Sequence, residues 1–187
     1  MIDRLQRRLE EIGAPDDVKA LAVELAEQAV HDSLTGLYNR RFFDEALAQS
    51  IEAARRYKRS LSLILFDLDC LKELNDAAGH QAGDCALKTF SAGLSQTARA
   101  SDIVCRIGGD EFAVILPETE FSNVRNFTDR FFLTLEKQPL DFPDVGTKHS
   151  SPWKLSASFG AAALPSENLF SAADAVLLQN KENRKIS

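Results

Sequence analysis

Acidic residues recur at two separated places in this chain of 187 residues. Asp67 and Asp69 flank Leu68 at the end of an apolar run, Leu61-Ser62-Leu63-Ile64-Leu65-Phe66. Asp110 and Glu111 are adjacent, directly after Gly108-Gly109 and directly before a second apolar run, Phe112-Ala113-Val114-Ile115-Leu116. Neighbouring carboxylates repel unless something offsets the charge, and a divalent cation is the usual offset. If the two stretches meet, Asp67 with Asp110 and Glu111 suits Mg2+ (or Mn2+), with water and substrate phosphates as the other ligands. Two such ions could activate an attacking hydroxyl and stabilise a leaving pyrophosphate. Side chains alternate along a strand, so Asp67 and Asp69 share a face while the extended geometry lasts. Taken alone, Asp69 reads as a turn residue or a helix cap.

A second set of polar residues lies at Asn75-Asp76-Ala77-Ala78-Gly79-His80-Gln81-Ala82-Gly83-Asp84. A carboxylate can accept from the N1–H and 2-amino groups of guanine, and an amide can donate to O6. Asn and Asp beside glycines are also ordinary turn residues, and Asp84 could cap a following helix.

These residues need elements to position them. Leu61 to Phe66 is too continuously apolar for a surface strand and reads as a buried one ending at Asp67. Ile103–Ile107 and Phe112–Leu116 on either side of the glycines read as a β-hairpin over 102–116. Apolar spacing predicts helices over 2–12, about 16–30, about 40–58, about 83–98, about 121–136 and about 170–182. Pro15 suits a first helical turn, and Asp16 and Asp17 favour a helix start through the macrodipole. Val18, Leu21, Leu25 and Ala29 form a stripe that could join a second helix in a dimer or pack on its own domain. Residues 32–41 and 79–83 read as loops, 138–152 as irregular, and Trp153 to Leu164 as a strand. The fold class is α/β or α+β, a mixed central sheet flanked by helices. The domain division is a helical extension over 1–31 and one domain over 32–187.

Composition narrows the function. With 44% hydrophobic residues the chain can bury a core, and its net charge of −6 argues against bulk nucleic-acid binding. No apolar run is long enough to cross a membrane and no leader follows the N-terminal arginines, so a cytoplasmic location is expected. The three cysteines have no metal-pair spacing and the three histidines are scattered, which argues against zinc.

Four ordered segments resemble the GGDEF (diguanylate cyclase) family over about residues 32–185. They are Asp32-x-Leu-Thr-Gly-Leu-x-Asn-Arg-Arg41, then Phe66-Asp-x-Asp-x-x-Lys-x-x-Asn-Asp76 with Gly79-His80-x-x-Gly83-Asp84, then Arg106-x-Gly-Gly-Asp-Glu-Phe112, and Ser158-x-Gly160. The resemblance implies a palm-like nucleotide cyclase fold that condenses two GTP molecules into cyclic di-GMP, releasing two pyrophosphates. One domain would hold one GTP, so a homodimer would be the active unit. By resemblance, Asp67, Asp110, Glu111 and the Leu68 carbonyl hold the metals, and Asn75 and Asp84 read guanine. Gly108 and Gly109 let the backbone approach the nucleotide, and either Asp110 or Glu111 could take the proton of the 3′-hydroxyl. Backbone amides at Cys70 and Leu71, with Lys72, resemble a phosphate cradle, a role that a helix start can also fill on physical grounds.

Arg99-x-x-Asp102 matches the family's inhibitory product site, with five residues between Asp102 and Gly108. Arg130 is assigned to the same site as a secondary arginine. The last helix departs from the family pattern: Leu178 stands where tyrosine is usual and a glycine is missing. Lys181 matches a phosphate-binding lysine, and Lys185, with Arg184 beside it, stands where arginine is expected. Lysine is a point charge and not a bidentate fork, so the exchange weakens the phosphate grip. Two further readings follow: a catalytically weak or inactive module that senses GTP or cyclic di-GMP, and a cyclase acting on ATP or mixed substrates, which Asp84 argues against. About 30 residues precede the domain, fewer than an ordinary domain needs. The chain therefore reads as part of a longer protein, or as one controlled by self-association through residues 16–30.

Overall fold

A computed structural model describes residues 2–138 and 154–186. Two helices, α1 (Ile2–Glu11) and α2 (Asp16–Val30), precede α3 (Arg40–Tyr57) and the first strand, β1 (Leu61–Leu68). Then come α4 (Leu71–Ala78), α5 (His80–Thr97), the hairpin strands β2 (Ile103–Arg106) and β3 (Glu111–Pro117), α6 (Phe121–Glu136), β4 (Ala157–Ala163) and α7 (Leu169–Ile186). The strands form one sheet in the order β2-β3-β1-β4. The α+β class expected from the sequence is the observed one. Among the described residues every pair of strands is antiparallel, and the parallel element is a single bridge between Tyr38 and Cys105.

The alternation of β1 explains the architecture. Ile64, Phe66 and Leu68 face a core shared with α4, α5 and α6, where Phe66 packs against Phe90 and Phe131. Leu61, Leu63 and Leu65 face the opposite core, with Phe43 and Leu47 of α3 and Leu177 of α7. All eight β1 residues are therefore buried, which is why the run lacks polar alternation. Burying one such side chain is worth about 1.5–3 kcal/mol, whereas the exposed ion pair between Arg40 and Asp44 on α3 contributes roughly 0–1 kcal/mol. The two cores, not surface charge, hold the sheet.

By the same alternation Asp67 lies on the α3/α7 face. Gly160 of β4, opposite Leu65, is on that face too. A Cβ at Gly160 would overlap the Ala173 carbonyl oxygen and the Leu177 amide nitrogen of α7, so glycine here lets α7 lie against the sheet. Asn39 caps α3, accepting from the Phe42 amide at 3.1 Å, and its Nδ2 donates to the Ala29 carbonyl at 2.9 Å.

Several sequence expectations change. Residues 71–78 form a helix that apolar spacing does not predict. The loop expected at 79–83 reduces to Gly79, with φ of 83°, between two helices, and α5 begins at His80 and not near 83. Asp84 is consequently inside α5 and does not cap it. The last strand starts at Ala157, and residues 154–156 lead into it without regular structure. Trp153 and most of the irregular segment lie outside the described residues. Among the described residues no helix is long and apolar enough to cross a membrane.

Candidate active site

Strand register brings the two acidic stretches together. Asp67 is paired with Glu111 on one side and with Ser158 on the other. The Leu68 amide donates to the Asp110 carbonyl at 2.9 Å, which ties the end of β1 to the glycine turn. Within the turn, the Ile107 and Gly108 amides donate to the Glu111 carbonyl at 2.9 and 3.3 Å. The turn is clamped from behind by Arg106, which donates through Nη2 to the Gly109 carbonyl at 2.8 Å and through Nη1 to Asp32 Oδ1 at 3.0 Å.

Asp32 also accepts from the amide and hydroxyl of Thr35 at 2.9 and 2.6 Å. Burial works against its charge, but the bonds from Thr35 and Arg106 prevail and hold its pKa below the ordinary carboxylate value. A lowered folded-state pKa supplies stability above the unfolded pKa and loses it as pH falls through the folded one. Asp32→Asn should therefore cost about 1–2 kcal/mol at neutral pH, with the penalty shrinking in acid below about pH 4. Urea midpoints at the two pH values check this; an equal penalty at both would contradict it.

At the end of β1 a cleft of about 590 Å³ opens, within the size range of small-molecule sites. Asp67 sits at its floor, buried, in an ion pair with Lys181 of α7. Burial first, then repulsion from Asp110 and Glu111, outweighs Lys181 and pushes the Asp67 carboxyl above its ordinary pKa. Two residues on, Asp69 accepts from Ser156 Oγ and Ser158 Oγ, each at 2.9 Å, and pairs with Arg184. Cys70 then takes the left-handed conformation, with φ of 58°, and turns the chain into α4. Leu71 and Lys72, the first residues of α4, line the cleft, so the positive end of that helix opens onto it.

Not every expected residue is gathered here. Asp67, Leu68, Cys70, Leu71, Lys72, Asp110 and Lys181 line the cleft, while Asn75, Asp84, Gly108, Gly109 and Glu111 do not. Asn75 packs against Gly83, where a Cβ would overlap its Oδ1, and that oxygen is buried without a hydrogen-bond partner. Asp84, which follows Gly83 in the chain, is exposed. The Lys185 side chain lies outside what the structure describes, and Arg184 is the cation of this pair that reaches the cleft. Arg99, Asp102 and Arg130 line one separate pocket of about 210 Å³ between the start of β2 and α6. The sequence reading missed Asp69, Ser156, Ser158 and Arg184 as a group; the three-residue step from Lys181 to Arg184 along one helix face was the available signal.

Among the described residues no three acidic, histidine or cysteine side chains close around a single ion. The donor chemistry nevertheless suits a hard divalent cation. Asp67 is paired in register with Glu111, Asp110 adjoins it at the turn, and their mutual repulsion is the kind that such a cation relieves.

An antiparallel sheet covered on both faces, with carboxylates, a helix N-terminus and the cations Lys72, Lys181 and Arg184 in a cleft at one end, defines an α+β domain with a charged cleft. The family model "Diguanylate cyclase, GGDEF domain" matches residues 29–186. This chain belongs to that family. It is 34% identical over 158 residues to diguanylate cyclase DgcS of Shewanella oneidensis, covering 84% of this chain and 51% of the relative. The GGDEF domain of TpbB from Pseudomonas aeruginosa superposes with a TM-score of 0.74 at 32% identity, covering 82% of this chain and 89% of that one. The GGDEF domain of DgcB from Caulobacter crescentus, solved with c-di-GMP, gives a TM-score of 0.76 at 26% identity, covering 83% and 91%. The chain spans about half or less of the length of these curated relatives, 51% for DgcS and 29% for the Pseudomonas aeruginosa cyclase TpbB. Members of the family generally use a divalent metal.

Proposed function

We infer that this domain, residues 32–187 behind a helical extension over 1–31, is a diguanylate cyclase that condenses two GTP into cyclic di-GMP with release of two pyrophosphates. The observation that carries this reading is the register of Asp67 against Glu111 beside a cleft that also holds a helix N-terminus and Lys181. Asp67, Asp110, Glu111 and the Leu68 carbonyl would hold the divalent cation, Mg2+ or Mn2+. Bound there, it would neutralise triphosphate charge and favour departure of pyrophosphate.

The protein's own groups do the rest. The α4 amides, Lys72 and Lys181 bind the phosphates, and Asn75 and Asp84 read the guanine edge. Asn75 would donate to O6 through its Nδ2, while its unpartnered Oδ1 is an acceptor and suits only an N–H group of the base. Asp110 or Glu111 accepts the proton of a 3′-hydroxyl presented by the GTP of a second copy. Val18, Leu21 and Leu25 of α2, which are 46%, 57% and 56% exposed, support pairing of two chains through this helix.

Incubation of the purified chain with GTP and Mg2+ tests the reading by chromatography of the products. Cyclic di-GMP is the expected product; its absence, with GTP bound intact, would overturn it. The pocket of Arg99, Asp102 and Arg130 supports product inhibition: guanidinium groups pair with phosphate or a guanine edge, and Asp102 accepts from guanine N–H groups. Arg99→Ala should weaken cyclic di-GMP binding at least about tenfold and leave initial rates intact while removing inhibition at late times. Initial-rate assays with added product check this, and unchanged inhibition would refute the site. The second reading, a module that binds cyclic di-GMP without turnover, rests on this same pocket and on the altered α7.

A further inference from the structure

Two aspartates two residues apart, Asp67 near the end of β1 and Asp69 in the turn that follows it, each hold a cation from α7, three residues apart: Asp67 with Lys181, and Asp69 with Arg184. The two pairs are not equivalent. Among the described residues Asp67 pairs with Lys181, and it lies beside Asp110 and Glu111, where an incoming cation can take the lysine's place. Asp69 is fixed from the β4 side. Ser158 Oγ donates to its Oδ1 and Ser156 Oγ to its Oδ2, both at 2.9 Å, and its amide donates to the Ser156 carbonyl at 2.9 Å. With both oxygens engaged, the carboxylate cannot swing away to follow a mobile partner. Arg184 meets it through Nη1, and a guanidinium carries five N–H donors, so one side can rest on Asp69 while another faces the cleft.

We propose that Asp69, locked by Ser156 and Ser158, is a positioning residue that docks Arg184 over the cleft as a further triphosphate-gripping cation beside Lys181. This rests on the cleft being a nucleoside triphosphate site. The chemistry is specific: a bare lysine in place of Arg184 could not bind Asp69 and phosphate with the same planar geometry. Asp69 works through Arg184 and touches no reacting atom.

The test is a double-mutant cycle read by calorimetric titration with 3′-deoxy-GTP and Mg2+. This analogue lacks the attacking hydroxyl, so no turnover intrudes. Asp69→Asn keeps the bonding shape and removes the charge, and Arg184→Gln removes the guanidinium. Each should weaken binding roughly tenfold, and the double variant should be no weaker than Arg184→Gln alone. In assays with GTP, Asp69→Asn should raise KM with little change in kcat, a split that general loss of structure would not produce. Additive losses in the cycle, or unchanged affinity in Asp69→Asn, would overturn the proposal, as would a wild-type chain that does not bind 3′-deoxy-GTP. Binding that follows the stated pattern in a chain that makes no cyclic di-GMP would uphold it and remove only the catalytic reading.

Discussion

Glu111→Ala should give a folded chain that makes no measurable cyclic di-GMP. The Glu111 side chain is exposed at the first position of β3, and the turn bonds at this residue run through its backbone carbonyl. Truncation therefore removes a carboxylate and leaves the hairpin in place. Surface changes of this kind usually move stability by no more than about 0.5 kcal/mol. Catalysis should suffer far more, because the same carboxylate is proposed to hold the divalent cation and to stand where a base for the 3′-hydroxyl is needed. Loss of a proton-transfer group alone costs about a hundred- to ten-thousandfold, and loss of a metal ligand adds to it. Product chromatography from GTP and Mg2+, beside a urea denaturation curve, measures both effects. A variant that keeps more than about a tenth of the wild-type rate would be inconsistent with either role.

The second large effect is structural and reaches the cleft indirectly. Gly160→Ala would put a methyl group into the Ala173 carbonyl and the Leu177 amide, which are backbone atoms of α7 and cannot rotate aside. Either the helix lifts or the sheet shifts. Overpacking of this kind costs about 1–3 kcal/mol and occasionally more. The same displacement moves Lys181 and Arg184 away from Asp67 and Asp69, so nucleotide affinity should fall together with the unfolding midpoint. Gly109→Ala is the control: a Cβ there meets nothing within 4 Å, and stability should change by less than about 0.5 kcal/mol. If Gly160→Ala unfolds at the wild-type urea concentration, α7 does not lie against β4 as described.

Much of this was legible in the chain. The apolar run of β1, interrupted only by Ser62 before Asp67, announced a strand buried on both faces, and the glycine pair between two apolar runs announced the hairpin. Both are local patterns, set by side-chain alternation and by the freedom of glycine in a turn. The helix over 71–78 was not legible, because its eight residues are crossed by a polar reading of Asn75 and Asp76 and are followed at once by Gly79. Its start depends on Cys70 accepting a left-handed conformation, which no propensity favours.

Residue types and their order alone determined the family, the acidic pairs at 67–69 and 110–111, and the basic residues of the last helix. Each is a property of a few neighbouring positions. Tertiary structure decided which acid meets which partner. Asp67 faces Glu111, and Lys181 reaches Asp67, because antiparallel register and the docking of α7 at Gly160 bring distant segments together. Asp69 showed the limit most clearly: as a lone aspartate after a strand it is a turn residue, and only the arrival of Ser156, Ser158 and Arg184 makes it a fixed post. Charges far apart along the chain acquire their strength from burial and proximity, and both exist only once the two cores have closed around the sheet.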